Sequence, residues 1–290
     1  MKRRLWIPVV LGIAAAALTA AADPVPTAPP PAAEKLEGHA TNTFVARPPG
    51  VQEPGLFDLN RLPGRVLTDF SVRFDEGDRA IKTLAIGLDG QVTAKGSYGP
   101  NFSSTETAKD DFYRWRVSWH RLNEVPLLEY KGASARVPTC NGECRIPINP
   151  RPAGSRFVLT SFHFARPTMA HVRRITILPY PDQREVLVRF LDNGSPAFDA
   201  KITYAYVPDK YFKAVGQYQK FEYLPGATLP KKLIGYHRLA LVGFDFTFLN
   251  GAHPLEYFAI VYERPNLLAR FYDRNRDDPW RAEVRYELLR

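Results

Sequence analysis

From Phe57 onward, apolar and polar residues alternate in short runs, which is the period of a strand with one buried face. Leu67-Thr68-Asp69-Phe70-Ser71-Val72-Arg73-Phe74 is the first clear run, and Glu76-Gly77-Asp78 follows it as a turn. Ala80 to Leu88 reads as the next strand, closed by the hairpin signal Asp89-Gly90. Phe112 to Leu122 is a third strand, with Trp115, Val117 and Trp119 on one face and Arg114, Arg116 and Ser118 on the other. Lys210 to Glu222 is the one helix candidate, although its tyrosines and phenylalanines suit a strand equally well.

The pattern recurs. Leu241 to Tyr262 lies over Leu67 to Leu88 without a gap, which places Phe244 on Phe70, Phe248 on Phe74 and Ile260 on Ile86. Asp277 to Leu289 lies over Asp110 to Leu122, pairing Trp280 with Tyr113, Arg281 with Arg114 and Tyr286 with Trp119. A weaker copy sits between them: Leu159-Thr160-Ser161-Phe162 echoes Leu67 to Phe70, and Ile202-Thr203-Tyr204 echoes Val284 to Tyr286. The fold class expected is therefore all-β: antiparallel β-sandwich units, about three related internal repeats packed together. Units this small bury too little to stand alone, so they must pack on one another or recruit strands from the spacers at 123–155 and 209–236. A tandem of small sandwiches and one larger body with approximate internal symmetry both satisfy that requirement. The expected division is a first unit over 57–154, a second over 155–236 and a third over 237–290.

The N-terminal pattern differs. Met1-Lys2-Arg3-Arg4 precedes a short apolar run from Leu5 to Leu18 and then Ala20-Ala21-Ala22, the layout of a secretory signal peptide over 1–22. The run is too short for a spanning helix, so no transmembrane segment is expected once the signal is removed. Residues 23–56, with Pro24, Pro26, Pro29, Pro30 and Pro31 at their start, read as a Pro-rich linker. The expected location is secreted or periplasmic. Cys140 and Cys144 are then where disulfides persist, and Asn141-Gly142 between them marks a tight turn, so a bridged hairpin is expected. The formal charge is +9, and losing Lys2, Arg3 and Arg4 from the 39 basic residues leaves 36 against 30 acids. That mild excess suits an anionic envelope surface and implies no nucleic-acid partner.

Two constellations could carry chemistry. In the turn before the last strand, Asp273, Asn275 and Asp277 place oxygen ligands at alternate positions with Asp278 beside them, a spacing suited to calcium. Asp278 stands where a calcium loop needs glycine and Val284 where it needs a closing glutamate, and Asp and Asn also cap such turns unaided. The second constellation is aromatic: Trp280 and Tyr113 at the turns, each followed by an arginine, Arg281 and Arg114, could stack and hydrogen-bond a sugar ring. At the same period, buried rings would be ordinary core. The six histidines (His39, His120, His163, His171, His237 and His253) show no ligand spacing. There is no nucleophile elbow, phosphate loop or dinucleotide fingerprint. The expectation is an exported, non-catalytic binding protein for a glycan or cell-envelope polymer, with no cofactor required beyond a calcium ion at the acidic turn. The alternatives are an envelope assembly protein binding other proteins, and a hydrolase using Asp110, Asp111, Asp273, Asp277 or Asp278.

Overall fold

The computed structural model describes residues 37–44, 65–74, 80–87, 93–97, 113–121, 131–194, 196–273 and 276–290. The expected signal peptide at 1–22 lies outside the described residues, as do Asp110, Asp111 and Asn275. Every strand pair is antiparallel, and the strands form three sheets packed together. The first sheet runs β1 (Glu37–Phe44), β5 (Tyr113–Arg121), β2 (Arg65–Phe74), β15 (Tyr257–Glu263), β16 (Asn266–Tyr272), β13 (Lys231–Leu233). The second runs β12 (Phe212–Tyr223), β17 (Trp280–Leu289), β14 (Arg238–Phe248), β9 (Arg174–Tyr180), β10 (Glu185–Leu191), β7 (Glu143–Pro147). The third runs β4 (Thr93–Ser97), β3 (Ala80–Gly87), β8 (Ser155–Ala170), β11 (Ala197–Pro208), β6 (Lys131–Asn141). Among the described residues no helix is long and apolar enough to cross a membrane.

Each sheet is assembled from distant parts of the chain. The central strands β2, β8 and β14 each pair on one side with the closing strand of their own stretch, β5, β11 and β17. On the other side each takes a strand from a different stretch: β15, β3 and β9 respectively. Positions aligned in sequence fall in the same register. Phe70 faces Val117 and Ile260, Phe162 faces Ile202 and Ile86, and Phe244 faces Val284 and Ile177. The tandem of self-contained sandwiches is therefore not what forms, since each stretch donates a hairpin to a sheet built on another. Lys35–Arg290 cluster as a single unit. The physical reason is burial: a stretch that keeps its own hairpin has no second sheet to cover its apolar face, whereas the exchange covers all three.

The inward residues meet in one core. Phe70, Phe162 and Phe244 are at most 2% exposed, and their ring centroids lie 5.6, 5.6 and 5.3 Å apart pairwise. On the outer side of the β9–β14 pair, Arg174 grips Asp245 through Nε at 2.8 Å and Nη2 at 2.5 Å, and Thr176 donates to the same carboxylate at 2.6 Å. That fork ties two stretches together where the sheet faces outward, as a bidentate guanidinium–carboxylate pair does well.

Three local expectations are corrected. Residues 37–44, expected to belong to the linker, form β1 and pair with β5. The helix candidate at Lys210 to Glu222 is strand β12, preceded by one short 3-10 turn at Asp209–Tyr211. Cys140 and Cys144 are bonded, with Cα atoms 5.6 Å apart, but they do not sit at the tip of a ladder hairpin. β6 belongs to the third sheet and β7 to the second, so the bridge clamps a corner where the chain changes sheets. Gly142, at φ +70°, makes that corner: its N–H donates to Pro196 O, and its carbonyl accepts from Phe190 N.

Candidate functional site

Topology places the acidic turn. β14 lies in the second sheet and β15 in the first, while β16 lies in the first and β17 in the second. The two connections, 249–256 and 273–279, therefore cross between the same sheets at the same end and touch: Leu249 N–H donates to Pro279 O at 2.9 Å. Asp273 does what aspartate does at a turn, accepting the N–H of Arg276 at 2.9 Å while Arg276 adopts φ +57°. Asp278 accepts from Asn250 Nδ2 at 2.5 Å and lies 2.7 Å from His253 Nδ1. One nitrogen of His253 and one oxygen from each of Asp273 and Asp278 all lie within 4.8 Å of one another.

The calcium loop expected at Asp273, Asn275, Asp277 and Asp278 is only partly assembled. Asp273 and Asp278 converge and are 5% and 7% exposed, but Asp277 is exposed to solvent. Asn275, the ligand expected between them, lies outside the described residues. The residue that joins the pair, His253, lies in the other connection, and its spacing carried no sign of this. The signal that could have found it is topological: in two paired crossovers, Asn250 to His253 must sit against Asp273 to Asp278.

Trp280 is fully buried, with its ring 5.9 Å from Tyr223 and 6.4 Å from Phe246. It is a core residue and offers no face to a ligand, which corrects its expected role as a sugar platform. The reason lies in the pleat of β17: Trp280, Ala282, Val284 and Tyr286 point inward, and Arg281, Glu283, Arg285 and Glu287 line the outer face. Arg281 is exposed on that outer face. Tyr113 and Arg114 lie on β5, opposite Phe74 and Arg73, and their side chains are outside the described residues.

The outer face of β17 has a neighbour that the sequence reading did not single out. On β12, Tyr218 stands opposite Arg285 and Lys220 opposite Glu283. Together with Val242, Pro179 and Pro181 they wall a cleft of 430 Å³, within the size range of small-ligand pockets. Tyr218 is 57% exposed. Arg285 Nε donates to Glu283 Oε1 at 2.8 Å, and its guanidinium lies 5.7 Å from the Tyr180 ring. Among the lining residues Gly216, at φ +67° in a bulge of β12, donates its N–H to Glu287 Oε2 at 2.6 Å. Burial pushes the Glu287 carboxyl up to about 7, against the opposing pull of the Gly216 N–H and Arg156. Asp273, Asp277 and Asp278 do not line this cleft, and Asp110 and Asp111 lie outside the described residues.

No protein-family model matches the chain, and no curated protein sequence matches it.

Proposed function

We propose that the protein is an exported, non-catalytic binding protein that takes a glycan or cell-envelope polymer in the cleft beside Tyr218. The observation that carries the reading is the pairing of an exposed aromatic face, Tyr218, with planar donors and acceptors on Gln217, Arg285 and Glu283 around one cavity. A sugar ring has an apolar face for stacking and hydroxyls that both donate and accept, and this set of groups meets both needs. Lys220 and Arg285 add positive charge, which favours an acidic or phosphorylated polymer over a neutral one. The reading keeps the ligand class expected from export and an aromatic-rich β fold, and moves the site from Trp280 to Tyr218.

The test is direct binding of the full-length chain to a panel of neutral and anionic envelope polysaccharides, read by calorimetry. Saturable binding to at least one anionic member supports the reading, and a flat response across the panel retires it.

A protein partner is the second reading, and one observation favours it. Leu224, Leu233 and Tyr236 are 55%, 74% and 76% exposed along the segment that carries the edge strand β13. Apolar side chains beside an open edge are what an assembly surface presents. Cross-linking that captures a partner through Leu233 or Tyr236, with no polysaccharide bound, selects this reading instead.

A further inference from the structure

We propose that His253, Asp273 and Asp278 form a site for a divalent cation of the zinc class, separate from the cleft at Tyr218 and independent of what that cleft binds. Three donor atoms from two connections lie within 4.8 Å of one another. Both carboxylates are buried, at 5% and 7% exposure. Two carboxylates brought close together repel each other, and a dication between them offsets that repulsion. Hydrogen bonding within the protein accounts for only part of the imidazole. Nδ1 faces the carboxylates, 2.7 Å from Asp278, and is the nitrogen that would ligate; Nε2, unpartnered on the opposite edge of the ring, lies outside the ligand set.

The donor set selects the metal class. Calcium takes six to eight oxygens, and an imidazole nitrogen is not among its ligands. One nitrogen and two carboxylate oxygens suit zinc and its neighbours, which accept His and Asp at about 2.0–2.2 Å and hold a water in the fourth position when only three side chains are supplied. Asn250, donating to Asp278 Oδ1, holds that carboxylate in orientation from outside the ligand set, as partners of metal ligands do. A bound ion would join 249–256 to 273–279, the two connections by which the first and second sheets exchange strands.

The experiment uses untagged full-length protein stripped with chelator, then titrated with zinc or with calcium. Metal retained per chain after desalting and the thermal midpoint are read together. The expected result is one zinc per chain and a midpoint raised by about 5–10 °C at a hundredfold excess over Kd, with calcium producing no shift. Asp273→Asn and His253→Gln each lose the zinc-dependent shift while keeping the far-ultraviolet dichroism of the parent. His237→Gln, a change away from the site, keeps the shift. The proposal is overturned if zinc is not retained, if calcium shifts the midpoint and zinc does not, if both site variants respond like the parent, or if the His237→Gln control loses the response.

Discussion

The rings of Phe162 and Phe244 lie 5.3 Å apart at 65°, although one belongs to the central strand of the third sheet and the other to that of the second. With Phe70 they form the contact through which all three sheets share a core. Phe244→Ala should cost about 3–5 kcal/mol, the range for removing a buried phenylalanine, because no neighbour can fill a gap bounded by three sheets. Leu224→Ala, at a side chain 55% exposed, should stay within about 0.5 kcal/mol. Urea unfolding of the two variants separates these outcomes. A double-mutant cycle on Phe162 and Phe244 should return a coupling of about 0.5–1.5 kcal/mol. Zero coupling would mean the sheets meet without this contact mattering.

Gly243 allows β14 to approach β9. A β-carbon added there would stand 2.4 Å from Ile177 O and 2.8 Å from Pro179 Cδ. The first of these is backbone, which cannot rotate away. Gly243→Ala should therefore destabilise by about 1–3 kcal/mol through overpacking. Gly154→Ala meets nothing within 4 Å and carries only the strain of φ +65°. A smaller drop in thermal midpoint for Gly154→Ala than for Gly243→Ala is the expected result.

How much of this was legible in sequence follows from what each feature depends on. The strands were legible because alternation is local: Leu67 to Phe74 and Phe112 to Leu122 are recovered as β2 and β5 to within one or two residues. β1 was missed because Glu37-Gly38-His39-Ala40-Thr41-Asn42-Thr43-Phe44 is an edge strand with little apolar alternation to read. The exchange of hairpins was not legible, since the choice of Ile260 rather than Ile86 as the partner of Phe70 leaves no mark on the local pattern. A common origin of the three stretches is a proposal resting on that shared register. Trp280 was misjudged because a tryptophan beside an acidic turn resembles an exposed one, and only its phase in β17 places it inside. His253 was missed because its partners come through the crossover and not through spacing.

The corner disulfide should matter locally more than globally. It spans only four positions, so by chain entropy it contributes about 2 kcal/mol or less. Reduction should lower the thermal midpoint modestly and leave the transition cooperative. Amide exchange should quicken most at Gly142 and Phe190, whose hydrogen bonds hold the corner between sheets. Loss of the whole native transition on reduction would contradict this.

Glu287 should give the stability a pH slope of unusual sign. Burial raises its carboxyl from 4.5 to about 7 in the folded chain, so the folded state keeps a proton that the unfolded state has released. This group's contribution is therefore present below about pH 4.5 and is lost as pH rises through about 7, in total on the order of 3 kcal/mol. Beyond that the slope vanishes. Glu287→Gln keeps the acceptor for Gly216 N–H and removes the titration. Comparing urea midpoints of parent and variant at several pH values should show the excess slope in the parent alone.

Tyr218 and Trp280 separate the two places an aromatic binding site could be. Tyr218 is 57% exposed in the cleft and Trp280 fully buried. Trp280→Phe should lower stability by about 1–3 kcal/mol, because the smaller ring leaves space beside Tyr223, and it should leave ligand affinity unchanged. Tyr218→Ala should do the reverse: stability within about 0.5 kcal/mol and affinity for the bound polymer down by about tenfold or more, since an exposed ring contributes to packing only when something stacks on it. Arg285→Ala should also weaken binding, and more so at low salt if the polymer is anionic, because the attraction it removes is screened as ionic strength rises. Equal loss of affinity in Trp280→Phe and Tyr218→Ala, measured by calorimetry at matched folded fraction, would remove the cleft from consideration.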